Sequence, residues 1–345
     1  MPDCIRIADL KADRSLLTDL LTENLSPDAG GRRFDWLYLE NPHGPARAWV
    51  VTEEGTGRGL GAAAAFPKIF FVDNCLCSGF VLGDFCIDQR YRSLGLALRL
   101  QRASLEQLNS SPGPLAYDFP SDHMMAIYRR MQIPVAGEIV RWAKPLRTNR
   151  KIGTRIKSSM LAGFLAAPLN QLLAWKDSAS FGNAAWNIEN HKGTCGEEFT
   201  ELARTIGSFY GSCVERSAQH LNWRYLEHPL LRHELLTARS GEQLRGYVVF
   251  TQYQQDARIV DLFGFSDTSM WTALVGRVVS LLRDRGLNTL SFPALAANPW
   301  TGLLPRWGFR PREASALVVY NPRTGTQVEL NSKDTWFLMD GDRES

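Results

Sequence analysis

Apolar and polar positions alternate along some stretches of the chain and recur with helical spacing along others. Ala48-Trp49-Val50-Val51-Thr52, then Gly61 to Phe71, then Gly79 to Ile87 read as strands, divided by turn signals such as Glu54-Gly55. Leu94 to Leu108 changes to helical spacing. Leu94, Ala97/Leu98, Leu105 and Leu108 share one face, interrupted by Gln101, while Arg99, Arg102 and Glu106 lie elsewhere. A further strand holds Phe119-Pro120. The same succession then returns. Leu235 to Ala238, Tyr247 to Phe250 and Ile259 to Phe265 read as strands, Met270 to Arg285 as a helix, and Phe292-Pro293 falls in the next strand. A heptapeptide marks the repeat: Trp36-Leu37-Tyr38-Leu39-Glu40-Asn41-Pro42 recurs as Trp223-Arg224-Tyr225-Leu226-Glu227-His228-Pro229, with Trp, Tyr, Leu, Glu and Pro in register. Each half reads as helix, antiparallel strands, helix, strand, helix, strand, an α/β unit of about 150 residues. The Trp/Tyr pairs are read as packing a helix end against its sheet; lining an acceptor groove is the alternative.

Between the halves the texture differs. Arg147, Arg150, Lys151, Arg155 and Lys157 precede an apolar run, Met160 to Trp175, in which Pro168 is expected to begin a second short helix. The expected organisation is a first domain over 1–146, a basic and apolar helical linker over 147–196, and a second domain over 197–345. The linker is read as a connector packed against both halves. Its order of charge and apolarity also fits peripheral membrane contact through 147–175, the reading set second. The apolar run is too short and polar to span a bilayer, and no charged-then-apolar leader follows Met1.

Composition narrows the classes. Hydrophobic residues make up 44% and charged ones 22%, which is globular. Lys plus Arg (39) nearly balance Asp plus Glu (36), so no nucleic-acid partner is expected. Six cysteines without a CxxC pair point to a reduced, cytoplasmic protein. The six histidines are scattered and Cys75-x-Cys77 matches no metal spacing, so no metal is expected. No Walker-type, Rossmann or Gly-x-Ser-x-Gly pattern occurs.

The most informative stretch follows the Gly79–Ile87 strand. Asp88-Gln89-Arg90-Tyr91-Arg92-Ser93 forms a turn, and Leu94-Gly95-Leu96-Ala97 opens the helix. Small residues in a first helical turn let a ligand approach the backbone, and unpaired N–H groups there favour a pyrophosphate. Tight helix–sheet packing explains the same pattern equally well. The residues Ile87 to Ala97 resemble the acetyl-CoA signature of the GCN5-related N-acetyltransferase (GNAT) superfamily, whose core is R/Q-x-x-G-x-G/A. Arg92, Gly95 and Ala97 fit that core and Tyr91 the flanking tyrosine; Gln89 and Ser93 replace a common proline and glycine. Ile127-Tyr128-Arg129-Arg130-Met131-Gln132-Ile133 is similar to the family's F-Y-x-x-x-G-F, with Gln132 in the glycine position. The resemblance covers Ile5 to about Leu146. In the second half Leu303 to Phe309 keeps only the terminal Gly-Phe, and Ser266-Asp267-Thr268-Ser269 merely caps a helix.

The resemblance implies an α/β fold class: tandem GNAT folds, each a mixed, mostly antiparallel sheet flanked by helices, the second degenerate. It implies acetyl-CoA as acyl donor, held by Ile87, Arg92, Ser93, Leu94, Gly95, Leu96 and Ala97. The implied reaction is N-acylation of a primary amine on a small molecule or glycan precursor. Acyl transfer needs a base for the amine and an acid for the departing thiolate. Tyr128 matches the family's general acid, Asp84 is the first candidate base and His123 the second. Asp261 stands where Asp84 does, which favours a structural role for both. Two alternatives stay open: a carrier-protein- or aminoacyl-tRNA-dependent acyltransferase, and a non-catalytic tandem binding protein. The sequence sets no oligomeric state.

Overall fold

The computed structural model describes residues 3–72, 75–109, 115–147, 159–182, 186–207, 209–210, 212–320 and 336–344. The first half runs β1 (Asp3–Ile7), α1 (Arg14–Asn24), α2 (Gly31–Phe34), β2 (Arg47–Glu53), β3 (Gly59–Val72), β4 (Cys75–Ile87), α3 (Leu94–Asn109), β5 (Leu115–Asp118), α4 (Asp122–Arg130) and β6 (Val135–Pro145). After α5 (Ser159–Phe181) and β7 (Asn187–Asn190) the second half repeats the succession. It runs α6 (Glu197–Gly207), β8 (Ser212–Val214), α7 (Ala218–Leu221), β9 (His233–Ser240), β10 (Gln243–Tyr253), β11 (Asp256–Gly264), α8 (Thr268–Asp284), β12 (Thr289–Leu295), β13 (Arg310–Tyr320) and β14 (Trp336–Phe337). Both heptapeptides form a single π-helical turn, Asp35–Leu39 and Asn222–Leu226, continuing α2 and α7.

The strands form one 14-stranded sheet through both halves, in the order β1-β2-β3-β4-β5-β13-β6-β12-β11-β10-β9-β7, with β8 and β14 off this path beside β3. Along this path one parallel pair in each half interrupts the antiparallel run, β4 with β5 and β11 with β12; off it, β14 pairs parallel with β8. β6 of the first half and β13 of the second each lie beside the other half's parallel strand. β6 pairs with β12 from Thr289↔Pro145 to Leu295↔Ile139, β13 pairs with β5 at Val318↔Asp118, and β6 and β13 pair with each other. No half closes its own sheet.

Packing follows this exchange. One core belongs to the second half, around Phe250, Leu274 and Trp307. The first half has two, one on each sheet face. The α1 face gathers Leu17, Phe34 and Phe66 but also takes Trp223 and Trp336 from the second half, and the α3/α4 face gathers Leu100, Leu105 and Tyr128. At the junction Trp36 stacks on Trp223 with centroids 4.8 Å apart. Each indole Nε1–H donates to the other's backbone carbonyl, at 3.0 and 3.1 Å. That reciprocal contact gives the repeated motif its structural task.

Four expectations need correction. The helix α5 runs through Pro168 rather than restarting there; the proline costs one backbone hydrogen bond without ending the helix. α5 packs against α8 of the second half and meets β6, its Asp177 accepting from Lys144 (2.5 Å) and pairing with Arg283 (2.6 Å), so it does not pack against both halves alike. Leu169, Leu172 and Trp175 on it face outward. β5 ends at Asp118, before Phe119-Pro120, and the segment before Gly308-Phe309 holds only a short 3-10 turn, Thr301–Leu303. The polar segment Asp340–Glu344 is largely buried. Asp342 and Glu344 are 1% and 4% exposed because cations meet them inside.

Candidate active site

β4 and β5 are paired only from Gly79–Val81 to Leu115–Tyr117; beyond that, Leu82 to Ile87 has no strand on this side among the described residues. The local sequence makes this opening. A Cβ on Gly79 would stand 2.4 Å from the Leu115 carbonyl oxygen, so only glycine lets the two strands meet there. Further along, a bulge against β3 between Ala62/Cys86 and Ala64/Gly83 puts Asp84 at a φ of +47° and bends β4 away.

The turn after β4 is built by short-range polar bonds. Asp88 accepts from the Arg90 amide (2.9 Å) and guanidinium (2.7 Å), and this pairing holds its pKa down at about 2. Ser93 caps α3: its Oγ accepts from the Leu96 amide and its carbonyl from the Ala97 amide, both at 3.2 Å. The first-turn amides of Leu94 and Gly95 are left without an intrahelical acceptor by position. A Cβ on Gly95 would meet nothing within 4 Å, so the fold itself has no use for a glycine there. Ile87 is buried at the strand end, Arg92, Ser93, Leu94 and Gly95 are exposed along the turn, and Leu96 and Ala97 point into the core. The structure therefore brings all seven expected binding residues onto one turn. It gives the side chains of Leu96 and Ala97 to packing.

The candidate acid–base residues do not converge equally. Tyr128 is fully buried under the opening; its hydroxyl donates to Asp118 Oδ2 at 2.7 Å and accepts from Gln101 at 3.4 Å. Burial raises the tyrosine far above its ordinary pKa and pushes Asp118 up to about 6. Asp84 has both carboxylate oxygens taken. Arg33 donates to each at 2.9 Å and the Tyr38 hydroxyl donates to one at 2.9 Å. These bonds to Arg33 and Tyr38 give Asp84 a structural task. His123 lies exposed on the first turn of α4, away from the Tyr128 hydroxyl. Asp118 is the residue the sequence reading missed; its one signal was a carboxylate ending the apolar strand Leu115-Ala116-Tyr117.

In the second half the corresponding opening is filled. The segment Leu338–Asp342 lies along β12 on the side facing β11, with Met339 bridging Ala294 and Asn298 donating to the Leu338 carbonyl. Arg216, buried, joins Asp261 of β11 (3.1 Å) to Asp342 (2.8 Å). A cavity of about 850 Å³ opens at the junction of the halves, between Arg33 and Trp36 on one side and Arg224, His228 and His233 on the other. Among the described residues no three His, Cys, Asp or Glu side chains gather as a metal site, and no helix is long and apolar enough to cross a membrane.

No protein-family model matches the sequence, and no curated protein matches it. Solved structures do match. A GCN5-related N-acetyltransferase from Anabaena variabilis superimposes with a TM-score of 0.66 at 16% identity, over 92% of this chain and 73% of that one. One from Kribbella flavida gives 0.61 at 15% identity, over 92% and 71%. Eis1 from Mycobacterium abscessus gives 0.57 at 13% identity, over 93% and 74%. The chain has the fold of the GCN5-related N-acetyltransferases.

Proposed function

We propose that the chain is an N-acyltransferase of tandem GNAT construction, with an acyl-coenzyme A site in the first half only. The observation that carries this reading is Gly95: it opens a helix at the mouth of the β4/β5 gap, and no neighbour in the protein requires it to lack a side chain. Acetyl-CoA, once bound, would supply an activated thioester. The amides of Leu94 and Gly95 at the positive end of α3 would take its pyrophosphate, with Arg92 beside them. The free edge of Leu82 to Ile87 offers backbone groups to an extended amide chain.

Tyr128 and Asp118 form the proton-handling pair in this reading. The tyrosine holds a proton at its hydroxyl throughout the neutral range, and Asp118 accepts the hydrogen bond that orients it. Asp84 shapes the bulge and anchors α2 through Arg33. The filled gap between β11 and β12 supports a second half without a donor site. The acceptor in this reading is a primary amine on a small molecule.

Calorimetric titration with acetyl-CoA tests the reading on the wild type and on Gly95→Trp, whose indole extends into open space and leaves the fold intact. The expected result is one site per chain, weakened at least a hundredfold in the variant, about 2.7 kcal/mol. Absence of binding to the wild type, or equal binding to both proteins, overturns it.

A further inference from the structure

The cavity at the junction of the halves carries charge and hydrogen-bonding groups that the acyl-transfer reading does not use. Six arginines line it against four carboxylates, those of Asp256, Glu313, Asp340 and Glu344. The six differ in how far they are committed. Arg33 is spent on Asp84 and the Glu344 carbonyl, and Arg141 on Glu313 and Ser291. Arg224 is spent on the carbonyls of Gly341 and Arg343, and Arg343 lies over the Phe119 ring. Arg258, half exposed on β11, gives one N–H to Asp340 at 3.1 Å. Arg312 on β13 has no ion-pair partner among the described residues.

The wall also carries two imidazoles whose tautomers the backbone fixes. His228 Nδ1 accepts from the amides of Leu230 (3.2 Å) and Leu231 (3.1 Å), so its proton sits on Nε2. His233 Nδ1 faces the Tyr225 carbonyl oxygen at 3.1 Å, which can only accept, so its proton sits on Nδ1 and Nε2 carries a lone pair. The rings are 5.3 Å apart. Burial and the nearby Arg224 lower both pKa values, to about 3 and about 4, so both rings are neutral at pH 7. One donor and one acceptor are thus left on neighbouring rings, a pair that a hydroxyl, which both donates and accepts, satisfies in full.

We propose that this cavity is a binding site for a small organic anion that also carries a hydroxyl group. Its carboxylate or phosphate lies against Arg258 and Arg312, and its hydroxyl bridges His228 Nε2 and His233 Nε2, accepting from the first and donating to the second. Neutral histidines and surplus guanidinium charge together disfavour a polycation in the same space.

The test is calorimetry on the full chain with three probes: citrate, tricarballylate (citrate without its hydroxyl) and spermidine. Citrate is expected to bind in the micromolar to millimolar range, tricarballylate about tenfold more weakly, and spermidine not at all. Arg258→Gln/Arg312→Gln is expected to weaken citrate about tenfold or more and to leave acetyl-CoA binding unchanged, since neither residue touches the α3 turn. His233→Phe is expected to bring citrate down to the level of tricarballylate. The site is overturned if citrate fails to bind, if spermidine binds in its place, or if the double arginine variant binds citrate as the wild type does. Acetyl-CoA titration of the same samples reports separately on the acyltransferase reading.

Discussion

Three of the described non-glycine residues, Asp84, Gln132 and Gln254, adopt backbone angles that ordinarily belong to glycine. Gln132 has a φ of +58°, and its counterpart in the second half is Gly308 at +83°. A non-glycine residue in the left-handed region costs roughly 1–2 kcal/mol. Gln132→Gly is therefore expected to raise stability by about 1 kcal/mol, read as a higher urea midpoint with an unchanged slope. An unchanged or lower midpoint would show that its side chain repays the strain. The histidines set the response to acid. His43 and His233 are depressed to about 4, His228 to about 3, and fully buried His220 lies well below its usual value, all chiefly through burial. A histidine with a lowered folded pKa binds its proton first in the unfolded chain. Its share of stability is complete above pH 6.5 and is lost as pH falls from there, at up to about 1.4 kcal/mol per pH unit. Asp118, raised to about 6, works in the opposite sense: between pH 4 and 6 the folded chain binds the proton, so stability from it falls as pH rises. Glu215 and Asp261, also raised by burial, act with Asp118, but the four histidines begin to lose stability at pH 6.5 and set the net direction. Urea midpoints are expected to drop steeply from pH 7 to pH 5, and a flat profile would contradict the neutral burial of these rings.

Most elements were legible in the hydrophobic pattern, because alternation and helical spacing are local properties. The helix Leu94–Asn109 and its opening turn lie where the sequence placed them, and so does the Asp267 cap, which accepts from the Ser269 and Met270 amides. Pairing at a distance was not legible. Nothing near Asp84 announces Arg33, 51 residues earlier, so an occupied carboxylate read as a candidate base. The last segment shows the same limit. Glu344 there meets Lys68, and both side chains are 0% exposed. Burial lowers the Lys68 pKa while Glu344, and more weakly Asp342, support its charge, so the ammonium depends chiefly on a carboxylate 276 residues away in the chain. Breaking a buried pair from one side leaves an uncompensated charge, at roughly 3–5 kcal/mol. Glu344→Gln alone is expected to cost that much in thermal or urea unfolding. Adding Lys68→Met should return a large part of it, because the double variant removes the stranded ammonium and leaves only Arg224, which keeps its carbonyl partners, without Glu344. Equal losses in the single and double variants would show that the segment is held by its apolar part, Trp336 to Met339, instead.

The exchange of β6 and β13 makes the two halves one cooperative body. β5 has a second neighbour only because β13 crosses to it, and β12 only because β6 does. The α1-face core of the first half is completed by Trp223 and Trp336. A boundary at residue 146 is thus a boundary in the chain that the sheet does not observe. Independent domains usually share modest, polar interfaces and unfold separately; here an indole stack with reciprocal hydrogen bonds and two crossed strands must break together. Urea unfolding followed by far-ultraviolet circular dichroism and by tryptophan fluorescence is expected to give one transition with coincident midpoints. Trp36→Ala removes a buried ring from the first half and should cost about 3–5 kcal/mol. Since its stacking partner is Trp223, the loss should move the single transition as a whole. Two separated transitions, or a Trp36→Ala shift confined to one of them, would mean that the halves fold apart and meet afterwards. The cavity at their junction would then form in a docking step, and ligand binding there would raise only the later transition.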